Sequence, residues 1–462
     1  MKDMTEGNPL RMILTFALPL LLGNLLQQLY NVADAAVVGR FLGADALGAV
    51  GATSSVQFLI LGFCIGICTG FCVPIATKFG AHDEVAMRQL IFNGIVLAGI
   101  VAAVMTGACV LLCPQILRLL STPDNIWNDT YMYILVIFIG IPFTILYNLS
   151  AGILRAVGDS RTPFLLLAFS TVTNIFLDIF CIAVLHWGCA GAAIATVASQ
   201  GLSGLLCTLT IFRKYEFLRI RREERVVSRS LCGKLLMMGL PMGLQFSITA
   251  IGSMVMQSAN NALGSTYVSA FTAAVRIKQF VMCPFDAIAT GVATFCSQNY
   301  GAGSSRRIHE GYRIGIVMAV VYGLVSGTML IIFGRRACLL FLEPSQTRIL
   351  DAAALYMRIS GVWFWMLGIL NVNRITVQGL GFSGRAVFSG VMEMFARAGV
   401  VTLLVSRLGF TAICMADPAA WIAAVVYNLP MCLLVLRKVS LICGDMDIKM
   451  SHGDRFLDSH AV

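Results

Sequence analysis

The chain has 462 residues, of which 58% are hydrophobic and only 12% are charged. A water-soluble protein would carry about 45–50% apolar and about 25% charged residues, so this composition excludes a cytosolic enzyme and a secreted scaffold. The net charge of +10 would favour a nucleic-acid ligand in a soluble chain, but here the distribution of charge matters more than its sum. The lipid bilayer is the expected environment, and no nucleic-acid partner is expected.

Twelve apolar segments are long enough to cross a hydrocarbon core about 30 Å thick as helices. In the first half they cover residues 12–37, 46–77, 90–113, 131–154, 163–185 and 188–212. In the second half they cover residues 235–262, 266–298, 312–334, 352–378, 386–407 and 411–436. The first segment is too long for the apolar region of a cleavable signal, so we expect it to remain as helix one. The sequence predicts an all-α integral membrane protein.

The positive charges predict how these helices are oriented. With the N-terminus inside, 22 of the 33 lysines and arginines fall on the inner side, 6 on the outer side and 5 within spans. The positive-inside rule then places both termini in the cytoplasm of a multi-pass protein of the plasma (inner) membrane. Eight of the inner charges lie in residues 213–234, which we interpret as a solvated connector that anchors to anionic lipid.

The chain on either side of this connector repeats at an offset of 221 to 223 residues. The matched positions are Pro19 and Pro241, Gly43 and Gly264, Gly70 and Gly291, Gly80 and Gly301, Asn148 and Asn371, and Gly158 and Gly381. Because six is an even number of spans, both halves enter the membrane from the same side. We therefore expect two six-helix bundles related by a pseudo-twofold axis along the membrane normal, as in transporters built from parallel repeats. The predicted parts are an N-terminal bundle (1–212), a cytoplasmic connector (213–234), a C-terminal bundle (235–437) and a cytoplasmic tail (438–462).

Two carboxylates of the first half lie at membrane depth, where a charge costs at least about 2.5–3.5 kcal/mol. Each belongs to a set spaced for one helix face, Asn24, Gln27, Asn31 and Asp34 in helix one and Thr171, Asn174 and Asp178 in helix five. At about 1.5 Å per residue, Asp34, Asp178 and Thr196 share one level. Two interpretations stay open: interhelical hydrogen bonds that hold the bundle together, and a cation or proton site.

The second half lacks this arrangement, because the positions that match Asn174 and Asp178 are Arg397 and Val401. It carries instead Arg276, Lys278 and Asp286 in helix eight, Glu393 and Arg397 in helix eleven, and Asp417 in helix twelve. A glutamate four residues before an arginine is a favourable helical pair. Internal charge pairs and contacts with substrate both remain open for this set, and Asp417 is also compatible with an interfacial position.

Other chemistry is not indicated by the motifs. The 15 cysteines fall almost wholly inside apolar runs, which is typical of small buried hydrophobes rather than of a disulfide framework. Cys64, Cys68 and Cys72 share a helix face but lack a fourth ligand. The chain has no Walker loop, zincin helix or nucleophile elbow. We therefore expect no enzyme, no organic cofactor, and no metal apart from a coupling ion.

Several motifs resemble those of the multidrug and toxic compound extrusion (MATE) transporters of prokaryotic type. They are Met4–Pro9, Tyr30–Asp34, Gly39–Gly43, Ala46–Gly51, Leu154–Pro163 and Ser297–Gly303. The resemblance covers nearly the whole chain, with the motifs in the family's order. It implies two six-helix bundles and a monomeric antiporter that exports cationic or amphipathic organic compounds in exchange for sodium ions or protons.

By position, the resemblance also implies the site residues. The coupling set, which would hold a sodium ion or a proton, is Asp34, Asn174, Asp178 and Thr196. The resemblance does not supply a substrate cavity, but polar residues within the predicted spans are candidates for one: Gln27, Asn31, Asn148, Asp286, Asn371, Glu393 and Arg397. Some members place an acidic residue in helix seven, whereas this chain has Gln245–Ile248 there, which questions coupling through a second-half carboxylate.

Several alternatives remain open from the sequence. The basic residues Arg276, Lys278, Arg374 and Arg397 keep open a flippase for lipid-linked oligosaccharide or another amphipathic lipid. Two interpretations from other functional classes also remain open, a passive channel and a membrane-embedded enzyme. The coupling ion is open as well, because one carboxylate suffices for a proton whereas sodium needs several oxygens in place of its hydration shell.

Overall fold

A computed structural model of the protein describes residues 3–120 and 122–458, and these residues form helices and no strands. Fourteen α-helices are present in this described part of the chain. They are α1 (Pro9–Leu42), α2 (Ala44–Gly80), α3 (Glu84–Leu119), α4 (Trp127–Ile139), α5 (Ile141–Ala156), α6 (Arg161–Ile179), α7 (Gly188–Lys214), α8 (Arg229–Ala262), α9 (Ser265–Gly301), α10 (Ser305–Ala337), α11 (Thr347–Val362), α12 (Phe364–Gly379), α13 (Ser383–Leu408) and α14 (Phe410–Asp458). The predicted all-α class is confirmed.

The helices form up to twelve membrane spans, as the apolar segments predict. Ten spans are single helices, and the pairs α4/α5 and α11/α12 each form one more span, bent by 44° and 55°. The bends lie at Gly140 and Trp363, so the fourth span of each half is the broken one. Pro142 follows the first bend and has no N–H for the helical ladder. The broken spans therefore repeat along with the rest of the chain.

The last helix is longer than the twelfth apolar segment. The apolar span covers Phe410–Gly444, but α14 continues to Asp458. Much of the predicted tail (438–462) thus extends this helix, and residues 459–462 of that tail lie outside the described residues.

Contacts divide the chain into two units that cut across the predicted bundle boundaries. Unit 1 comprises Met1–Ala17, Val73–Glu84 and Gly252–Val462, and unit 2 comprises Leu18–Cys72 and Val85–Ile251. The first part of α1 and the last part of α2 thus belong with helices of the second half. The first part of α8 belongs with helices of the first half. The bundle boundaries at residues 213–234 stay a prediction.

Glycines bring helices of the two halves into backbone contact inside each unit. In unit 2, a Cβ on Gly66 would lie 2.7 Å from the Cα of Gly243, and one on Gly70 would lie 2.5 Å from the Cα of Gly239. In unit 1, a Cβ on Gly291 would lie 3.4 Å from the Ile13 carbonyl oxygen. Small residues let membrane helices approach this closely. Gly70 and Gly291 are repeat partners, so the α2–α8 and α9–α1 contacts lie at matching positions, although the α9–α1 contact is looser because a Cβ at Gly291 would make only ordinary contact.

A reciprocal contact joins α2 and α9 within unit 1. A Cβ on Gly80 would lie 1.9 Å from the Gln298 carbonyl oxygen, and one on Gly301 would lie 1.8 Å from the Thr77 carbonyl oxygen. Thr77 and Gln298 are themselves repeat partners at the offset that relates Gly80 to Gly301. Matching positions of α2 and α9 therefore contact each other reciprocally, as expected for two helices related by a twofold axis.

The connector between α7 and α8 is bound to α3. Arg88 of α3 donates from Nε to both carboxylate oxygens of Glu224 at 2.9 Å and from Nη1 to the Phe217 carbonyl at 3.1 Å. Asn93 binds the Val226 carbonyl at 3.1 Å and the Ser228 amide at 2.9 Å. The hydrogen bonds from Arg88 hold the pKa of Glu224 below its ordinary value. Most of the connector's basic residues are exposed, as expected of a solvated linker, but Glu224 is buried and polar groups on α3 bond to the connector at these positions.

The segment before α1 is bound in an analogous way. Arg307 of α10 donates to the Met4 carbonyl at 3.1 Å and to the Gly7 carbonyl at 3.0 Å. Met4 is fully buried, and its amide donates to Gln298 Oε1 at 3.0 Å. In both halves, an arginine near the start of the third helix thus binds the segment that leads into the other half's first helix.

We expect Gly301→Ala to destabilise the protein, because its methyl carbon would lie 1.8 Å from the Thr77 carbonyl oxygen. Overpacking costs about 1–3 kcal/mol, so the thermal unfolding midpoint of the purified protein in detergent should fall. Gly233→Ala is the matched control, since a Cβ there meets no atom within 4 Å. Equal midpoints for the two variants would contradict the close packing of α2 on α9.

We expect Arg88→Ala to be more costly, because it removes the cation that is hydrogen-bonded to both oxygens of the buried Glu224 carboxylate. Breaking a buried pair costs about 3–5 kcal/mol, which denaturant unfolding of the purified protein measures. Arg222→Ala removes an exposed arginine of the same connector and should change the free energy of unfolding by no more than about 0.5 kcal/mol. If Arg88→Ala lowered the free energy of unfolding no more than the control does, the ion pair between Arg88 and Glu224 would not hold the connector.

Candidate functional site

Two of the predicted coupling residues meet between α1 and α6. The carboxyl groups of Asp34 on α1 and Asp178 on α6 lie close enough to interact electrostatically. The two helices also pack near Gly23, whose Cβ would lie 3.7 Å from Leu167. Both aspartates belong to unit 2. The depth and helix face inferred from the sequence thus bring together two carboxyls that are 144 residues apart.

Thr196 lies beside the same pair, together with residues that the sequence pattern did not select. The Tyr30 hydroxyl lies 2.9 Å from Thr196 Oγ1. Tyr30 and Tyr133 are both close enough to Asp34 and Asp178 to interact electrostatically, and Gln57 lies beside Tyr133. We call the set formed by Tyr30, Asp34, Gln57, Tyr133, Asn174, Asp178 and Thr196 the carboxylate cluster.

Several polar atoms of the carboxylate cluster are buried without a hydrogen-bond partner in the described part of the chain. Asn174 is 1% exposed and Asp178 is fully buried, and both side-chain polar atoms of each residue lack a partner, as does Oδ1 of Asp34. Such groups are costly and normally have a reason. Two carboxylates this close repel each other unless a proton or a cation neutralises them. The cluster is therefore suited to bind one.

The helix geometry next to Asp178 is also unusual. A π-helical turn occupies Phe180–Val184, directly after α6. Such turns are rare in helices and frequent at functional sites. The wider turn lies only two residues beyond the Asp178 carboxylate, at the end of the helix that carries it.

Three other predicted cavity residues of the first half are not part of the carboxylate cluster. Gln27 and Asn31 on α1 are exposed, and neither makes a hydrogen bond to the residues that the structure describes. Asn148 on α5 donates to the Thr144 carbonyl of its own helix at 2.8 Å. Sharing a helix face with Asp34 was therefore not sufficient to place Gln27 and Asn31 in the cluster.

Charged side chains of the second half bond to one another across α9, α12, α13 and α14. Arg374 donates to Glu393 Oε1 at 2.6 Å, and Arg397 lies 3.3 Å from Glu393 Oε2. Arg397 Nε donates to Asp417 Oδ1 at 2.9 Å, and Lys278 Nζ donates to the other oxygen of Asp417. We call this set, with Tyr356, the ion-pair network. Internal charge pairs, one of the two readings of these residues, match this geometry.

Tyr356 of α11 extends the network, and the position of Asp417 corrects a sequence expectation. The Tyr356 hydroxyl accepts from Lys278 Nζ and donates to Asp417 Oδ2, both at 2.6 Å. Asp417 is 2% exposed. Helix α14 begins at Phe410, so Asp417 lies inside the helix and not at its start. An interfacial position for Asp417 is wrong, and two cations compensate its buried charge.

Asn371 and Asp286 continue the network at its Arg374 end. Arg374 Nη2 donates to Asn371 Oδ1 at 2.7 Å, and Asn371 Nδ2 donates to Asp286 Oδ1 at 3.3 Å. Asp286 is exposed, whereas Asn371 is buried. The predicted cavity residues Asn371, Glu393 and Arg397 are therefore largely committed to internal bonds, and Asp286 is not.

Helix seven, which is α8 here, offers no carboxylate at the position where some family members have one. Gln245 is buried, with 6% exposed, and Ser247 donates to the Leu59 carbonyl at 3.3 Å. Among the basic residues that kept a lipid flippase open, Lys278, Arg374 and Arg397 are paired with carboxylates. They do not form a free basic cavity, so that alternative is not favoured.

Comparisons with known proteins agree with this architecture. The MatE family model matches residues 19–180 and 241–414, two segments that begin at the repeat partners Pro19 and Pro241. The probable multidrug resistance protein YpnP of Bacillus subtilis is 32% identical over 382 residues, which cover 81% of this chain and 85% of that protein. The FAD transporter of Shewanella oneidensis is 22% identical over 366 residues, which cover 78% of this chain and 80% of that protein.

Solved structures have the same fold. An outward-facing multidrug resistance MATE family transporter of the MOP superfamily superimposes with a TM-score of 0.88 at 23% identity, covering 95% of this chain and 98% of that chain. A crystal structure of MATE in complex with MaL6 gives a TM-score of 0.87 at 23% identity and the same coverage. With the family model matching most of the chain, the protein belongs to the MATE family of multidrug efflux transporters and is a multi-pass membrane transporter rather than an enzyme.

Proposed function

We propose that the protein is a secondary active antiporter that exports cationic or amphipathic organic compounds in exchange for sodium ions or protons. It acts as a monomer in the plasma (inner) membrane, with both termini in the cytoplasm. The observation that carries the proposal is the pair of Asp34, which is partly buried, and Asp178, which is fully buried. Asp34 Oδ1 and both carboxylate oxygens of Asp178 lack protein partners in the described residues. Relatives named as multidrug resistance proteins support the substrate class.

Coupling follows from the charge of the carboxylate cluster. When the cluster is empty, two carboxylates at close range destabilise the conformation that holds them together. A proton or a sodium ion removes that repulsion and stabilises the same conformation. An ion can drive a conformational change only by binding the two states with different affinity. The Asp34–Asp178 distance provides such a difference if it changes between inward-open and outward-open states.

The chemistry of the cluster supports both ions. A proton needs one carboxylate that can gain and lose it. A bare sodium ion is a hard cation and needs several oxygens, and Asp34, Asn174, Asp178 and Thr196 together carry enough. The unpartnered amide oxygen of Asn174 favours sodium competence, because a proton site does not need it.

Asp34→Asn or Asp178→Asn should abolish ion-driven efflux with only modest loss of folding. Each variant keeps nearly the same volume and a hydrogen-bonding group but removes the titratable charge. Efflux of a fluorescent organic cation from proteoliposomes measures the effect under an imposed ion gradient. Asp351→Asn, which removes an exposed carboxylate paired with Arg335, should retain wild-type efflux. Full transport by both cluster variants would show that the coupling ion travels elsewhere.

Replacing sodium with choline at fixed pH distinguishes the two ions. If sodium couples transport, efflux by the wild type should fall in choline, and Thr196→Val should raise the sodium concentration needed for half-maximal efflux. The substitution keeps the shape of the side chain while removing its oxygen. The sodium hypothesis would be contradicted if the rate of wild-type efflux did not depend on sodium and fell only when the proton gradient was dissipated. Asn174 and Thr196 would then have a structural role and no role in ion binding.

A further inference from the structure

Helix α9 has a continuous polar face although most of its other residues are buried. Thr272, Arg276, Gln279, Asp286, Thr290 and Thr294 recur at steps of 4, 3, 7, 4 and 4. These steps place the six side chains within one narrow sector of a helix. Thr272, Gln279 and Asp286 are exposed and the other three are partly exposed. In a membrane-spanning helix, a polar accessible face of this length requires water beside it.

Two opposite charges on this face have no direct ion-pair partner in the described part of the chain. Asp286 accepts one hydrogen bond, 3.3 Å long, from the neutral amide of Asn371. The nearby Arg374 is bonded to Glu393 and Asn371. Arg276 makes no hydrogen bond or ion pair with the described residues. These two charges therefore differ from those of the ion-pair network, whose carboxylates are bonded to cations.

Neither charge is explained by its position along the helix. Arg276 is 11 residues from the start of α9 at Ser265, which is about 16 Å at 1.5 Å per residue. The helix has 37 residues, about 55 Å, so it exceeds a hydrocarbon core about 30 Å thick, and when it is centred in the membrane both Arg276 and Asp286 fall inside the core. Asp286 lies 15 residues, or about 22 Å, from the other end at Gly301. Unpaired charges at such depth are costly and mark functional sites.

We infer that the polar face of α9 binds zwitterionic substrates, with Asp286 accepting the cationic group and Arg276 the anionic group. The ten residues between them span about 15 Å along the axis, and the long arginine side chain shortens the gap that a ligand must bridge. The matching ligand is an extended organic molecule with an ammonium-type cation at one end and a carboxylate or similar anion towards the other. This inference rests on the proposed export function, and it adds a determinant of substrate charge in the second half.

The roles of the two residues predict different effects on two matched dyes. Rhodamine 110 has a free carboxylate, and rhodamine 123 is its methyl ester, so the pair differs chiefly in the negative charge. Arg276→Gln should weaken binding of rhodamine 110 about tenfold, which corresponds to the loss of one charge-assisted hydrogen bond, and leave rhodamine 123 binding unchanged. Asp286→Asn should weaken binding of both dyes, because both carry the cation.

Equilibrium binding to the purified full-length protein, measured by fluorescence polarisation, is the primary assay, and efflux from proteoliposomes is the second. The matched control is Arg358→Gln on α11, which removes an exposed arginine that lies on a helix face with the exposed apolar residues Leu355 and Val362. The control should bind both dyes like the wild type. Thermal unfolding of each variant in detergent shows whether the substitutions preserve the fold.

The outcomes separate this inference from the proposed function. A selective loss of rhodamine 110 binding in Arg276→Gln supports the inference even if no ion gradient drives efflux, in which case only the antiport proposal fails. Equal losses for both dyes in Arg276→Gln, or an unchanged affinity for rhodamine 110, overturn it. It is also overturned if the wild type binds neither dye, or if Arg358→Gln shows the same selective loss.

Discussion

A polar side chain inside a bilayer must be bonded within the protein or face water, because hydrocarbon offers no hydrogen bonds. The two halves of this chain satisfy that constraint in different ways. The second half bonds Lys278, Glu393, Arg397 and Asp417 into a buried network. The first half instead buries Asn174 and Asp178 with unpartnered atoms. The ion-pair network thus balances its charges internally, whereas the carboxylate cluster of the first half holds carboxylates that have no cationic side chain bonded to them in the described residues.

This difference arises on a repeated backbone. Three backbone features occur at matching positions in the two halves. They are the broken fourth span, the contacts at Gly70 and Gly291, and the reciprocal contact between Gly80 and Gly301. Backbone proximity depends on small residues and does not depend on the charges farther along the helices. The repeat could therefore keep its packing while Arg397 and Val401 took the positions that correspond to Asn174 and Asp178. Divergence of side chains on a fixed helical framework accounts for one half having the carboxylate cluster and the other having the ion-pair network.

The segments that lead into α1 and α8 show how the halves are tied together. Arg88 and Arg307 each bind main-chain carbonyls of such a segment, and Arg88 adds a buried ion pair with Glu224. Main-chain carbonyls outside helices need donors when they are buried. Arginine supplies several donors in a fixed plane, so one side chain near the start of a third helix contributes several of the bonds that hold each segment, together with Asn93 in one case and Gln298 in the other.

The amino-acid sequence by itself determined the helical class, the twelve spans, the repeat and the proximity of Asp34 to Asp178. These features depend on hydrophobic length, helical periodicity and depth, which are local properties that can be counted along the chain. Tertiary structure alone decided that Tyr133 and Gln57 join the carboxylate cluster, that Asp417 is buried between two cations, and that the connector binds α3. Each of these depends on side chains from helices distant in sequence, and no spacing within one helix encodes which residue of another helix it meets. The same reason explains why Gln27 and Asn31 share the helix face of Asp34 yet remain outside its cluster.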